Sequence, residues 1–129
     1  MKQILLERAL KALENAYAPY SKFQVAAALE CADGSIFTGV NIENASFGAT
    51  LCAERSAFAA ALSEGKRQFV SILIIGGTAG HISAFCPPCG ICRQFMNEFC
   101  APDFEIVLYN GEQFETHNLK ELLPKGFSL

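Results

Sequence analysis

The chain of 129 residues is long enough for one folded core, and we expect residues 1–129 to form a single domain. Its net charge of −3, with basic residues scattered along the chain, disfavours a nucleic-acid polymer as partner, since polyanion binders usually carry a basic patch. Because no export signal precedes the six cysteines and no apolar run approaches the ~18 residues that span a bilayer, the sequence predicts a reduced, cytoplasmic protein without membrane contact.

The first part of the chain predicts a helix followed by a hairpin. Apolar residues recur at helical spacing over residues 6–17, and Pro19 is expected to end this amphipathic helix. Residues 24–31 and 35–41 have strand-like composition, and the Ala-Asp-Gly sequence between them is typical of a hairpin turn.

The middle of the chain predicts a buried helix and a central strand. Residues 52–64 are almost all Ala, Phe and Leu, which indicates a helix buried nearly all round, and Gly65 is placed to end it. Residues 70–75 form a continuous apolar run bounded by two glycines, the pattern of a strand covered on both faces.

The last part of the chain adds helix, strand and helix. A helical pattern over residues 91–99 follows two prolines, residues 104–109 are strand-like, an Asn-Gly turn comes next, and residues 118–123 can form a short helix. This order of elements argues for a layered α/β fold. The hydrophobic fraction of 51% fits an obligate oligomer and a large buried sheet equally well.

Three cysteines and one glutamate form the motif with the clearest chemistry. Cys52 and Glu54 begin the predicted buried helix, while Cys89 and Cys92 stand three apart at the start of the next helix and therefore share a face. Three thiolates can bind one zinc ion. Catalytic zinc sites have three protein ligands and an open fourth position, whereas structural sites usually have four ligands.

Two residues beside the ligands have predicted roles. Glu54 is placed to take the proton of a zinc-bound water and pass it on. Since neighbours two apart on a regular helix point apart, Cys52 is expected at the helix N-cap with non-helical geometry. Three thiolates leave a zinc site with a formal charge of about −1, and Arg55 is predicted to offset it by donating to the sulfurs rather than to form a surface ion pair.

A structural zinc site remains an alternative, because Cys86 also makes a Cys-x-x-Cys spacing with Cys89 and a fourth thiol would close the site. The two prolines between them hold Cys86 in extended chain, which favours a residue that does not bind the metal. Outside the site we expect two small buried thiols and two surface histidines without partners: Cys31, Cys100, His81 and His117.

Five segments carry a resemblance to a known family. They are APYSKF at residues 18–23, NIENAS at 41–46, CAER at 52–55, PCGICRQ at 88–94 and LLPKGF at 122–127. Together they resemble the small homotetrameric cytidine deaminases of the three-cysteine type, over nearly the whole chain.

The resemblance implies a three-layer αβα fold with a mixed five-stranded sheet and one zinc per subunit. It implies hydrolytic deamination of cytidine and deoxycytidine to uridine and deoxyuridine in pyrimidine salvage. In that reaction zinc hydroxide attacks C4 of cytosine, while Glu54 protonates N3 and then the departing amine.

The resemblance also implies the substrate contacts. Asn41 and Glu43 would hydrogen-bond the ribose hydroxyls, Phe23 would pack on the pyrimidine ring, and Ala53 would offer backbone groups to the base. Phe127 would line the pyrimidine pocket of a neighbouring subunit. Asn41 and Glu43 stand two apart at a strand end and so project to one side, although turn chemistry is an alternative reading of the pair.

Three positions depart from the family pattern. Gln24 replaces a usual proline, Ala26 a common glycine and Phe47 a common tyrosine; these changes concern the sugar pocket and the subunit interface rather than the metal. Two other functions compete with the nucleoside enzyme. One is an aminonucleoside deaminase of the blasticidin type, which shares the Cys-Ala-Glu and Pro-Cys-x-x-Cys motifs. The other is a zinc-stabilised interaction module without turnover.

Overall fold

The computed structural model describes residues 1–129, which form five strands, four α-helices and one 3₁₀ turn. The strands are β1 (Phe23–Cys31), β2 (Ile36–Val40), β3 (Phe69–Thr78), β4 (Glu105–Tyr109) and β5 (Phe114–Asn118). The helices are α1 (Lys2–Leu13), α2 (Ala53–Ser63), α3 (Gly90–Phe99) and α4 (Leu119–Leu122), and the 3₁₀ turn is Phe47–Ala49. None of the helices has the length and apolar character that crossing a bilayer requires.

The strands form one mixed sheet in the order β2-β1-β3-β4-β5. β1 pairs antiparallel with both β2 and β3, β3 pairs parallel with β4, and β4 pairs antiparallel with β5. The apolar run that predicted a central strand lies in β3, the middle of the five. The mixed five-stranded sheet expected from the resemblance is confirmed.

Hydrophobic side chains cover the sheet on both faces. On one face α2 and α3 pack around the buried Phe58, whose ring centroid lies 5.1 Å from that of Phe69 and 5.8 Å from that of Phe95. On the other face α1 buries Leu5, Leu6, Ala9 and Leu13 against alternate residues of the central strands. The predicted three-layer αβα architecture is therefore confirmed.

Gly39 allows α2 to lie directly on β2. A Cβ at this position would stand 2.3 Å from the nitrogen of Ala57 and 2.5 Å from the carbonyl oxygen of Ala53, distances that no side chain can adopt. The hydroxyl of Ser56 also donates to the carbonyl of Val40 at 2.9 Å. These contacts hold the first turns of α2 against the carboxyl end of β2.

Two sequence predictions about the helices were wrong. The first helix ends at Leu13, well before Pro19, because the Tyr17 amide donates to the Asn41 carbonyl at 3.0 Å and draws the chain into extended pairing. Helix α2 is not buried all round, since Ala59, Ala60 and Ser63 are exposed in this chain. Its alanine-rich composition gave no polar side by which an exposed face could be distinguished.

The sequence did not predict β5, and it misjudged His117 on that strand. Most residues of β5 are exposed and lack an apolar alternation, so no strand pattern was visible. The ring nitrogens of His117 lie 2.6 Å from carboxylate oxygens of Glu115 and of Glu121. The histidine therefore has two partners, and both carboxylates raise its pKa.

Candidate metal centre and active site

Helices α2 and α3 begin at the same edge of the sheet. Each connects two parallel strands, α2 from β2 to β3 and α3 from β3 to β4, so both helices start near the carboxyl ends of those strands. The first residue of β1, Phe23, pairs with Thr78 at the end of β3 and so lies at that edge too. Ligand sites of open α/β sheets typically form there.

Three cysteine sulfurs meet where the two helices begin. Cys52 caps α2 with extended geometry (φ −77°, ψ 153°), and Cys89 caps α3 in the same way (φ −71°, ψ 168°). The buried Cys92 completes the cluster from the first turn of α3, and all three sulfurs lie within 4.8 Å of one another. The non-helical cap at Cys52 agrees with the sequence prediction.

The spacing of the sulfurs fits a tetrahedral metal. Two thiolates each about 2.3 Å from zinc at a tetrahedral angle lie about 3.8 Å apart, and the Cys52 and Cys89 sulfurs are 3.8 Å apart. Three soft thiolate donors suit zinc and leave one coordination position free. Cys86 is not part of the cluster; it lines the adjacent cavity, and burial raises the pKa of its thiol to about 11.

Arg55 supplies positive charge to the sulfur cluster. Its Nη2 atom lies 3.4 Å from the Cys52 sulfur and 3.4 Å from the Thr50 carbonyl oxygen, and it makes no ion pair with a carboxylate. A hydrogen bond from Cys92, together with Arg55, lowers the pKa of Cys52 to about 5. The pKa of Cys92 is raised because its proton is held in that hydrogen bond. The cluster thus stabilises a thiolate before any metal binds.

Glu54 lies beside the cluster in an apolar environment. The residue is 4% exposed, and burial, followed by the negative charge of Cys52, raises the pKa of its carboxyl group to about 7. A carboxyl group with such a pKa can both accept and donate a proton near neutral pH.

A cavity of about 180 Å³ lies against the sulfur cluster and includes Cys52 and Cys89 in its lining. Its lining residues are Val25, Asn41, Glu43, Thr50, Leu51, Cys52, Ala53, Glu54, Cys86, Pro87 and Cys89. Six of the ten predicted site residues therefore line one cavity: Asn41, Glu43, Cys52, Ala53, Glu54 and Cys89. Cys92 and Arg55 do not line the cavity, but Cys92 belongs to the sulfur cluster and Arg55 contacts it.

The two predicted aromatic contacts lie outside the cavity lining. The ring of Phe23 and the Cys86 sulfur both lie over Gly76. A Cβ added to Gly76 would stand 3.0 Å from the Phe23 ring and 2.9 Å from the Cys86 sulfur. The ring is thus next to the cavity. Phe127 lies elsewhere, in a groove against α3, with its carbonyl oxygen accepting from Gln94 and Asn97 and the residue 65% exposed.

Asn41 and Glu43 line the cavity while bonding to nearby backbone. The Asn41 amide accepts from the Val25 nitrogen at 2.9 Å and donates to the Phe23 carbonyl at 2.8 Å. Glu43 accepts from the backbone nitrogens of Tyr20 and Ser21 and from the Ser21 hydroxyl. Sequence reasoning missed Ser21, although it lies within the APYSKF segment, because a lone serine there indicates a turn as readily as a site.

Comparison with known proteins agrees with this geometry. The profile of the family described as "Cytidine and deoxycytidylate deaminase zinc-binding region" matches residues 1–108. The chain belongs to this family. A curated relative from Halalkalibacterium halodurans, named cytidine deaminase, is 46% identical over 128 residues, which cover 98% of this chain and 94% of the relative. The family description and the three-thiol cluster together identify zinc as the cofactor.

A solved structure and a more distant relative complete the comparison. The crystal structure of cytidine deaminase from Burkholderia pseudomallei matches with a TM-score of 0.90 at 43% identity, covering 98% of this chain and 99% of that one. Blasticidin-S deaminase from Bacillus cereus is 28% identical over 112 residues, 84% of this chain and 79% of its own length. The deaminase of the predicted rival type is thus related, but less similar.

Proposed function

We propose that this chain is a zinc-dependent cytidine deaminase, which converts cytidine or deoxycytidine and water to uridine or deoxyuridine and ammonia. The observation that carries the proposal is the cavity itself. Its lining includes two of the three clustered thiols and Glu54, which we assign to a chemical end, together with Asn41 and Glu43, which we assign to a substrate end. A nucleoside has the matching division, with a reactive base at one end and sugar hydroxyls at the other.

The residues at the chemical end of the cavity have separate roles. Cys52, Cys89 and Cys92 hold the metal, which when bound supplies an activated water as nucleophile. Glu54 would take one proton from that water and deliver it to N3 of cytosine, and it would carry the second proton of the same water, from the new C4 hydroxyl, to the amine that leaves from C4. The buried carboxyl group, with its pKa of about 7, supports this role. Arg55 offsets the negative charge of the thiolates.

The substrate end fixes the nucleoside. Asn41 and Glu43 bind sugar hydroxyls with the donor and acceptor positions that their backbone contacts leave free. The backbone of Ala53 bonds to the base, and the ring of Phe23 packs on the pyrimidine. These assignments rest on the resemblance and on the residues' places in or beside the cavity.

We further propose a homotetramer with two-fold axes, in which each tail completes a neighbour's site. Phe127 is exposed and stands outside its own chain's cavity. Apolar residues of α2, Ala59 and Ala60, are exposed as well, which suits a covered interface. We place the activity in pyrimidine salvage in the cytoplasm, because six free cysteines fit a reducing compartment. One domain over residues 1–129 carries it.

A spectrophotometric assay tests the function. The purified zinc-loaded protein should lower the absorbance of cytidine and of deoxycytidine and release one ammonia per nucleoside consumed. Blasticidin S, assayed in parallel, should be turned over far more slowly. Faster turnover of blasticidin S would favour the aminonucleoside enzyme, and no turnover of any of the three by zinc-loaded protein would favour the interaction module.

A further inference from the structure

One hydroxyl group joins two parts of the substrate end. The Ser21 hydroxyl donates to Oε2 of Glu43, and its oxygen accepts from the backbone nitrogen of Phe23 at 3.0 Å. Glu43 is the residue proposed to bind a sugar hydroxyl, and Phe23 the one proposed to pack on the base. A single side chain therefore connects the two contacts, and neither the motif nor the chemistry assigned above gives it a role.

The hydrogen bonds of Glu43 limit what its carboxylate can still accept. An ionised carboxylate has about four acceptor positions. Oε1 accepts from the nitrogens of Tyr20 at 3.0 Å and Ser21 at 3.1 Å, and Oε2 accepts from the Ser21 hydroxyl. One acceptor position therefore remains, and it lies on Oε2, the atom whose only protein partner is the Ser21 hydroxyl.

The turn that presents these donors is itself closed. The nitrogen of Lys22 donates to the carbonyl of Ala18 at 3.0 Å, and Lys22 has a left-handed φ of 62°. Backbone groups thus hold Oε1 whatever residue stands at position 21. Oε2 depends on the serine side chain alone, and the terminal torsion of a glutamate is otherwise broad. The lowered pKa of Glu43, caused chiefly by the Ser21 hydroxyl, agrees with a bond that favours the ionised acceptor.

We propose that Ser21 is a positioning residue, whose hydroxyl fixes Oε2 of Glu43 so that its one free acceptor position faces the sugar of the substrate. The same hydroxyl ties that orientation to the backbone of Phe23. The inference rests on the proposed function, in which Glu43 accepts from a sugar hydroxyl. Because Ser21 does not contact Glu54 or the thiols, its effect belongs to substrate binding and not to the chemical step.

The test compares cytidine with 2′,3′-dideoxycytidine, which lacks the 2′ and 3′ hydroxyls of the sugar, in four zinc-loaded variants: Ser21→Ala, Ser21→Thr, Glu43→Ala and Ser35→Ala. Ser35→Ala is the matched control, since the Ser35 hydroxyl also donates to a carboxylate, that of Asp33 at 2.6 Å, but in the exposed β1–β2 turn. We expect Ser21→Ala to raise the KM for cytidine about tenfold, the size typical of one hydrogen bond to a charged group, with kcat within about twofold. The inhibition constant of 2′,3′-dideoxycytidine should not change.

The three other variants make the result specific. Ser21→Thr keeps the hydroxyl at an exposed position and should restore the KM for cytidine to near the wild-type value, which also distinguishes a lost hydrogen bond from a damaged fold. Glu43→Ala should weaken cytidine binding and leave dideoxycytidine binding unaffected. Ser35→Ala should match the wild type in both constants.

Each other outcome overturns a defined statement. Ser21 does not position Glu43 if Ser21→Ala weakens the binding of cytidine and of dideoxycytidine equally, or weakens neither, while Glu43→Ala still weakens the binding of cytidine alone. The same conclusion follows if Ser21→Thr behaves like Ser21→Ala. If Glu43→Ala changes the binding of cytidine and of dideoxycytidine alike, Glu43 does not bind a sugar hydroxyl, and the proposed role of Ser21 is refuted as well. A wild-type protein that turns over no cytidine refutes the proposed function itself.

Discussion

Glu54 and Glu43 line the same cavity, yet their surroundings give the two carboxylates opposite properties. Burial beside the Cys52 thiolate raises the pKa of Glu54 to about 7. Three hydrogen-bond donors from residues 20 and 21 surround Glu43, and its pKa is lowered. The first carboxylate can exchange a proton near neutral pH, whereas the second remains an acceptor.

The difference shows how one residue type serves two tasks. Desolvation disfavours the charged form, and donors favour it, so the environment decides whether a carboxyl group moves protons or holds a ligand. In this chain the first environment comes from the packing of α2 against the sheet, and the second from a surface turn. The following variants test whether the two ends are as separate as this comparison implies.

The largest effect is expected from the metal ligands. Cys89→Ala should release zinc and lower activity by more than ~100-fold, since loss of an outer partner of a metal ligand alone typically costs 10–100-fold. It should also lower the melting temperature, because metal binding stabilises the folded state. Cys86→Ala is the control and should keep one zinc per chain by metal analysis. Zinc loss from the Cys86 variant would mean that the ligand set is wrong.

Exchanging each carboxylate for its amide tests the comparison directly. Glu54→Gln keeps the shape but cannot accept a proton, so kcat should fall by at least ~100-fold while zinc and nucleoside binding are retained. Glu43→Gln should raise KM and leave kcat nearly unchanged, because it removes binding without touching the chemistry. Steady-state kinetics with zinc analysis decide the matter, and a Glu54→Gln enzyme with normal turnover would remove Glu54 as the proton carrier.

Phe127→Ala tests whether Phe127 of a neighbouring subunit contacts the base. Loss of a buried aromatic at an interface should weaken cytidine binding by about 1–3 kcal/mol with zinc content unchanged. Mixed oligomers of Phe127→Ala and Glu54→Gln chains should regain tight-binding turnover, since a site with intact Glu54 then receives an intact tail. An active monomer in sedimentation contradicts the shared site, and so does a mixture of the two variants whose turnover does not exceed that of either variant alone.

Arg55→Ala should produce the smallest change. Its positive charge lowers the pKa of Glu54, so its removal raises that pKa. Since Glu54 accepts a proton only when ionised, the acid limb of the kcat/KM profile should move to higher pH, by up to about one unit. Arg67→Ala removes the same charge beyond the other end of α2, where Nη1 bonds to the Leu62 and Lys66 carbonyls, and should leave the profile in place. An unshifted Arg55→Ala profile would show that the Arg55 charge does not set the pKa of Glu54.

The elements that position the metal were predictable because their signals are local. Cysteines at two helix starts, a carboxylate next to one and an apolar run for the central strand can all be identified without knowing the fold. Other features depend on contacts distant in sequence. Tyr17 lies beyond the first helix with its amide bonded to the Asn41 carbonyl, β5 is a strand because β4 is beside it, and Ser21 has a role only through Glu43.

The two helices that carry the thiols also set an order of events during folding. Helix α3 connects β3 to β4, which pair in parallel, and α2 connects β2 to β3, which β1 separates in the sheet. Pairing between strands far apart in sequence forms slowly. Cys52 lies before β3 and the other two thiols lie after it, so the three cannot meet until that strand has entered the sheet. We expect a zinc-sensitive dye to report metal uptake after the far-ultraviolet signal of refolding is complete. Zinc would then stabilise the folded protein after folding is complete and would not initiate folding.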